Sequence, residues 1–346
     1  MITIVPIEES AKWDSIVKSF DRYDVYYLSC YAKAYERIGD GKPLLFYYES
    51  DTAKAMNVVM KRDIAESKPF LGKLEKNRWF DLSTPYGYGG FWIEGEGCES
   101  LEKEYVELCK EKGYISEFIR FHLYTKYTDV FEGKIESCTG NVVCPLDPDM
   151  EDIIKGFEHK VRKNMKRAHT AGLQVEIDEE GRRLKDFLDV YYGTMDRKDA
   201  KSYYYFPEEF FHTINELKEN TVYIHVLYED KVISTELILY GKENGYSFLG
   251  GSDSRYFHLR PNDFLKVEAI KWLKEKGLKR FVLGGGYGKD DGIFRFKKSF
   301  APDNIRRFYI GKRIFNREKY DELMAIRNGE RGFQCNNGFF PQYREF

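Results

Sequence analysis

The chain has 346 residues, with 55 lysines and arginines against 57 aspartates and glutamates, for a formal net charge of −2. This near-neutral balance excludes binding to polyanions through a global field, so any nucleic-acid contact has to come from a local patch. The length suits two domains with separate cores, and no apolar run is long enough to span a membrane.

In chain order, Met1-Ile-Thr-Ile-Val-Pro6 reads as a first strand rather than a signal peptide, since it lacks a basic flank and a long apolar run. Helical patterning covers Trp13 to Phe20 and Ser29 to Arg37, and strands follow at Leu44 to Tyr48 and Met56 to Met60. Trp79-Phe-Asp-Leu82 is another strand. After it comes Thr84-Pro-Tyr-Gly-Tyr-Gly-Gly90, where small residues and Tyr86 and Tyr88 could line a groove or simply make a turn. A helix from Leu101 to Gly113 leads into the strand Ser116 to Phe121.

Two prolines in Cys144-Pro-Leu-Asp-Pro148 mark the domain boundary. This predicts a first domain at 1–145 and a second at 146–346, with the tail 313–346 packing back on the first. Asp149 is placed to cap a helix. The basic helix Lys160 to Ala168 carries Lys160, Arg162, Lys163, Lys166 and Arg167 around an apolar stripe of Phe157, Val161, Met165 and Ala168. Such a stripe of cations can follow RNA phosphates or can be a solvated helix face.

A strand at Leu173 to Ile177, helices at 181–196 and 207–219, and an antiparallel meander at 222–249 come next. Gly250-Gly-Ser-Asp-Ser254 is expected to bend, Phe264 to Lys276 to be helical, and Arg280 to Leu283 to be a strand. Beyond the Gly284 to Gly288 cluster, the alternation of Phe294, Phe296 and Lys298 against Arg295, Lys297 and Ser299 looks strand-like. The tail from Arg327 to Phe346, rich in Gly and Asn, is expected to pack poorly.

An internal echo runs through this order. Leu101-Glu-Lys-Glu-Tyr-Val-Glu-Leu-Cys-Lys-Glu-Lys-Gly113 aligns without a gap to Leu265-Lys-Val-Glu-Ala-Ile-Lys-Trp-Leu-Lys-Glu-Lys-Gly277. Each copy follows an aromatic strand and a glycine-rich stretch and precedes a further strand. Helices often end in Lys-Glu-Lys-Gly, since cations favour the last turn and glycine caps it, but the matching flanks favour a duplication, and a period this long means two domains, not a solenoid.

The six cysteines include no C-x-x-C and the six histidines do not cluster, so neither a metal nor another cofactor is expected, and the cysteines should be reduced in a cytoplasmic protein. No Walker A loop, dinucleotide fingerprint or G-x-S-x-G is present.

Helices, a meander, then a helix crossing to a further strand is the order of GNAT acyltransferases. Two such units in tandem resemble the FemABX family. The resemblance is densest in the Gly250-Gly-Ser-Asp bend, Glu268-Ala-Ile-Lys-Trp272, Leu283-Gly-Gly285, Asp291-Gly-Ile-Phe-Arg-Phe-Lys297 and Tyr309-Ile-Gly311. It implies an α/β (α+β mixed) fold of two GNAT-like domains, each a mostly antiparallel mixed sheet flanked by helices. No heptad run supports the coiled-coil arm of the longer relatives.

The family transfers an amino acid from aminoacyl-tRNA to an amine of a peptidoglycan precursor. The resemblance therefore implies those two partners, and no stable membrane insertion. It assigns catalysis to Lys297, precursor phosphates to Lys33 and Arg197, and leaves the basic helix to the tRNA. Tyr31 stands near Lys33 where the family usually has tryptophan. Where acetyl-CoA-binding relatives carry a glycine-rich pyrophosphate loop, this chain has Phe257-His-Leu-Arg-Pro-Asn-Asp263, without glycine and with a proline that lacks a donor. An acyl-CoA- or acyl-carrier-dependent N-acyltransferase acting on a sugar amine or small molecule is the alternative.

Overall fold

The computed structural model describes every residue of 1–346 except Glu99, Tyr287, Lys289, Asp290, Asn336, Asn337 and Phe346. It divides into two compact units. The first holds residues 1–20, 26–138 and 308–346, and the second holds 21–25 and 139–307.

In chain order the first unit opens with β1 (Ile2–Pro6), α1 (Ser10–Lys18), α2 (Ser29–Arg37), β2 (Lys42–Glu49), β3 (Ala53–Asp63), β4 (Phe80–Ser83), β5 (Trp92–Gly95), α3 (Leu101–Glu111) and β6 (Tyr114–Arg120). β7 (Lys134–Pro145) begins in the first unit and ends in the second. The second unit continues with α4 (Met150–Gly156), α5 (His159–Thr170), β8 (Gln174–Asp178), α6 (Leu184–Arg197), α7 (Glu208–Asn215), β9 (Thr221–Tyr228), β10 (Lys231–Tyr240), β11 (Asn244–Ser252), α8 (Pro261–Glu275), β12 (Arg280–Gly284) and α9 (Gly292–Lys298). β13 (Ile305–Ile314) leads back to the first unit, which closes with α10 (Arg317–Asn328).

The strand order in the first unit is β1-β2-β3-β4-β6-β13, with β5 beside β3, and in the second β8-β9-β10-β11-β12-β7. The two orders match position by position. In each, a helix crosses between two parallel neighbours, α3 between β4 and β6 and α8 between β11 and β12. In each, the last strand pairs antiparallel to the crossover strand, β13 on β6 and β7 on β12. The echo between residues 101 and 113 and residues 265 and 277 is thus the crossover helix of a duplicated unit. A parallel neighbour needs such a crossover, because a tight turn can only reverse the chain.

Each unit has its own core. The first packs Phe46, Val59, Leu82, Phe91, Tyr105 and Ile119. The second packs Ile224, Ile238, Phe264, Val267, Ile270 and Leu283. α8 is buried on nearly all sides, which suits a helix covering the middle of a sheet.

Three expectations are corrected. β11 runs straight through Gly250 and Gly251 to Ser252, so the bend there is absent. A Cβ on Gly250 would stand 2.6 Å from the Thr235 carbonyl oxygen and 3.2 Å from Glu236 Cα. Those glycines therefore serve the close approach of β10 rather than a turn.

The segment 292–298 is helical, not extended. Asp291 caps it by accepting from the Phe294 amide at 2.7 Å. Alternation over six residues also fits a short helix, and the cap decides.

The tail packs only at its two ends: Arg327, Pro341 and Tyr343 are buried, whereas most described residues from 328 to 339 are exposed. A second cluster in the first unit joins Ile64, Phe70, Ile115, Tyr320, Leu323 and the fully buried Tyr343. There the fully buried Asp81 accepts from Arg62 Nε at 2.7 Å, Arg344 Nε at 2.6 Å and the Tyr343 hydroxyl at 2.9 Å. Composition signals loop chemistry but is blind to such long-range partners.

Candidate active site

Lys297 closes the short helix α9. In a strand it would oppose Phe294; in the helix it lies three residues on, along the same inward face as the buried Phe294. Its side chain is half-buried, and its ammonium donates to the Gly285 carbonyl at 2.7 Å, one residue beyond β12. Gly284 (φ 85°) makes room: a Cβ there would come 3.2 Å from Lys297 Nζ. Burial and the charge of Lys266 lower the Lys297 pKa to about 8, against the pull of Glu236 and Asp291. Asp291 also accepts from the Gly288 amide at 3.0 Å, which fixes the described part of the glycine turn. Tyr287 and Lys289 of that turn lie outside the described residues.

Beneath this position is a group that sequence inspection missed. Lys266 of α8 and Glu236 of β10 form an ion pair with side chains 9% and 7% exposed. Ser247 of β11 bridges them, donating to Glu236 Oε1 and accepting from Lys266 Nζ at 2.7 Å. Among the described residues, buried Glu236 Oε2 has no hydrogen-bond partner. A signal was present: Lys266 falls on the stripe of Ile270 and Leu273, and Glu236 interrupts an otherwise uncharged stretch of strand. A buried charge has to find a partner.

Arg197, at the end of α6, is exposed, with its guanidinium 5.1 Å from the centre of the Phe257 ring. It lines a cavity of about 640 Å³ together with Arg183, Lys231, Asp253 and Arg255, which Lys297 does not line. Arg183 is paired with Glu176 and Asp186, and Lys231 and Arg255 are paired with Asp253. Among the described residues Arg197 is the cation of that cavity without an ion pair.

On the basic helix α5, Lys163, Lys166 and Arg167 are exposed, and Lys160 pairs with Glu158 at 3.0 Å. Arg162 behaves differently: it donates to the carbonyls of Lys155 (2.8 Å) and Phe157, closing the end of α4. The inward stripe of α5 packs on α8, where His169 meets Phe264 with ring centres 4.9 Å apart.

In the first unit, Lys33 lies half-buried on α2. Two residues earlier, the Tyr31 hydroxyl donates to the Tyr86 carbonyl at 2.5 Å, so α2 and the Thr84–Gly90 loop meet. Tyr88 packs edge-on against Tyr26, His122 and Phe308. Gly87 (φ 101°) is required there, since a Cβ would fall 2.4 Å from the Tyr26 ring.

Among the described residues no His, Cys, Asp and Glu cluster is arranged to hold a metal. The turn before α8 has Arg260 at φ 66° and Pro261 in the first helical position. This does not fit a pyrophosphate cradle, which needs a run of free backbone N–H groups.

Residues 155–298 match an acetyltransferase (GNAT) domain family, a span that contains α5, Arg197, the buried ion pair and Lys297. Of solved structures, FemX covers 94% of this chain and 100% of its own at 13% identity, with a TM-score of 0.67. The chain has a FemX-like tandem GNAT fold. The same fold extends to a C-terminal (DUF2156) domain assigned as lysylphosphatidylglycerol synthetase from Agrobacterium fabrum, at 14% identity, 94% and 98% coverage and a TM-score of 0.55. L-PGS from Bacillus licheniformis follows at 13% identity, 91% and 94% coverage and a TM-score of 0.51. No curated protein matches the sequence. Among the described residues, no helix of this FemX-like chain is long and apolar enough to cross a membrane.

Proposed function

We propose that this chain is an aminoacyltransferase that moves an amino acid from aminoacyl-tRNA to an amine of a peptidoglycan precursor. The observation that carries the proposal is the placement of Lys297. A half-buried ammonium of lowered pKa sits at the end of the crossover strand, held by one backbone carbonyl. In α/β sheets, strand ends of this kind are where ligands bind.

Aminoacyl esters are already activated, so the protein need not supply a nucleophile; orientation and electrostatics suffice. As the amine adds to the ester carbonyl, negative charge builds on its oxygen. An ammonium already in place stabilises that charge without solvent reorganisation. Lys160, Lys163, Lys166 and Arg167 offer the tRNA its phosphate contacts. Arg197 offers paired donors to a phosphate of either substrate, and Lys33 a point charge. Likeness to FemX and to lysylphosphatidylglycerol synthetase domains supports aminoacyl chemistry. The experiment is to incubate the protein with charged tRNA pools and precursor pentapeptide and to weigh the products. Absence of an aminoacylated product with every tRNA pool refutes the proposal.

A second reading, acyl transfer from acyl-CoA, is favoured by the match of residues 155–298 to an acetyltransferase family. It requires acetyl-CoA to bind at micromolar strength despite the Arg260-Pro261 turn.

A further inference from the structure

The pair Lys266–Glu236 has no evident purpose in stability. A buried ion pair is commonly no better than apolar side chains of the same volume, because desolvation offsets the attraction. Yet this pair is built with care. Gly250 lacks the Cβ that would press to 3.3 Å against Glu236 Cβ, and Ser247 ties both charges together.

Its location in the sheet is specific. Gly245 and Tyr246 pair in parallel with Phe281 and Val282, which brings Ser247 level with Leu283, the residue before Gly284. The Lys266 ammonium also lies 5.3 Å from the centre of the Phe281 ring on the same strand. The buried charges therefore underlie the strand end whose next carbonyl, that of Gly285, holds Lys297.

We infer that Lys266, Glu236 and Ser247 form a positioning group for Lys297: an ion pair buried beneath the end of β12 and tied together by one hydroxyl sets the electrostatic surroundings of the ammonium that the Gly285 carbonyl holds. Among the described residues, three charged groups act on Lys297: Lys266 from α8, Glu236 from β10 and Asp291 from the turn before α9. Of the three, Lys266 has the largest influence, and it opposes the other two. With Oε1 taken by Lys266 and Ser247, Glu236 Oε2 has no donor among the described residues. None of the three residues needs to touch substrate.

The inference rests on the reading that Lys297 meets the substrate, but its test does not need turnover. The pH dependence of Lys297 acylation by a small amine-reactive acyl ester, read by mass spectrometry on the peptide that carries Lys297 after quenching and digestion, gives its titration midpoint directly. In the unmodified chain the midpoint is expected near 8; a midpoint at the ordinary lysine value near 10.4 overturns the inference without any variant.

The double substitution Lys266→Met with Glu236→Gln removes both charges and keeps both shapes. It is expected to raise the midpoint, because Lys266 outweighs Glu236 in its influence on Lys297, and Lys266→Arg to leave it in place. An unchanged midpoint in the folded double variant shows the pair to be structural only. If turnover is observed, the alkaline limb of kcat/KM should move with the labelling midpoint. A shifted midpoint with no aminoacyl transfer from any tRNA sinks the proposed function and leaves the positioning group standing.

Discussion

Lys297 donates to the Gly285 carbonyl at 2.7 Å, one bond among the described residues for an ammonium that can make three. Under the proposed function, the remaining donor positions serve a developing oxyanion. Lys297→Met is expected to keep the fold and to lower turnover at least tenfold, about 1.4 kcal/mol of transition-state stabilisation. Steady-state kinetics with charged tRNA and a precursor peptide measure this.

The lowered pKa of Lys297 sets a pH dependence. Below about 8 the group is charged, and above it the charge is lost. Activity that needs the ammonium should therefore fall as the pH rises through about 8, and kcat/KM against pH should show that limb. A profile flat to pH 10 contradicts the role given to Lys297.

The same shift has a sign for stability. The unfolded chain keeps the ordinary lysine value near 10.4, so between about 8 and 10.4 it binds more protons than the native state. Stability contributed by this group rises with pH across that window and is lowest below it. Lys297→Met should accordingly unfold at higher urea than the parent at pH 7, and the gap should narrow above pH 10.

Asp81 ties the C-terminal segment into the first unit. Burial alone would raise its pKa, but the Arg344 and Arg62 guanidiniums outweigh burial and hold it below the usual carboxylate range. Its contribution is present above an ordinary aspartate pKa near 3.9 and is lost as the pH falls through the lower native value. Asp81→Asn should cost about 3–5 kcal/mol, as expected for a buried cation left unpaired. It should also speed proteolysis after Arg331.

In the second unit, Asp24 anchors residues 21–25. It accepts from Tyr246 Oη at 2.6 Å, Asn244 Nδ2 at 3.0 Å and the Val25 amide at 2.7 Å. Asp24→Ala leaves these buried donors unsatisfied, at a cost of about 1–3 kcal/mol each. Faster hydrogen exchange at residues 21–25 and 244–246 is the expected result.

Charge reversal of Lys163, Lys166 and Arg167 together should weaken tRNA binding and flatten its salt dependence, by a slope of roughly one for each phosphate contact removed. Arg162 should be left out, because its loss uncaps α4 and would be read as a binding defect. Filter binding across a salt series measures the slope.

What the sequence settled by itself was what local pattern and repetition can carry. Ser29 to Arg37 and Lys231 to Tyr240 declare their periods, and the matched Lys-Glu-Lys-Gly ends announce a duplicated crossover helix. Lys297 was also visible, through the resemblance around Asp291 to Lys297. Tertiary structure decided whatever depends on partners far apart in the chain. It made α9 a helix, because one carboxylate caps it, and turned Lys297 inward as a result. It brought Arg344 to Asp81 from 263 residues away, and set Glu236 beneath Lys266 across 30. Such pairs leave no periodicity in the sequence, since the cost of burying a charge is met by a partner that only the folded sheet brings near.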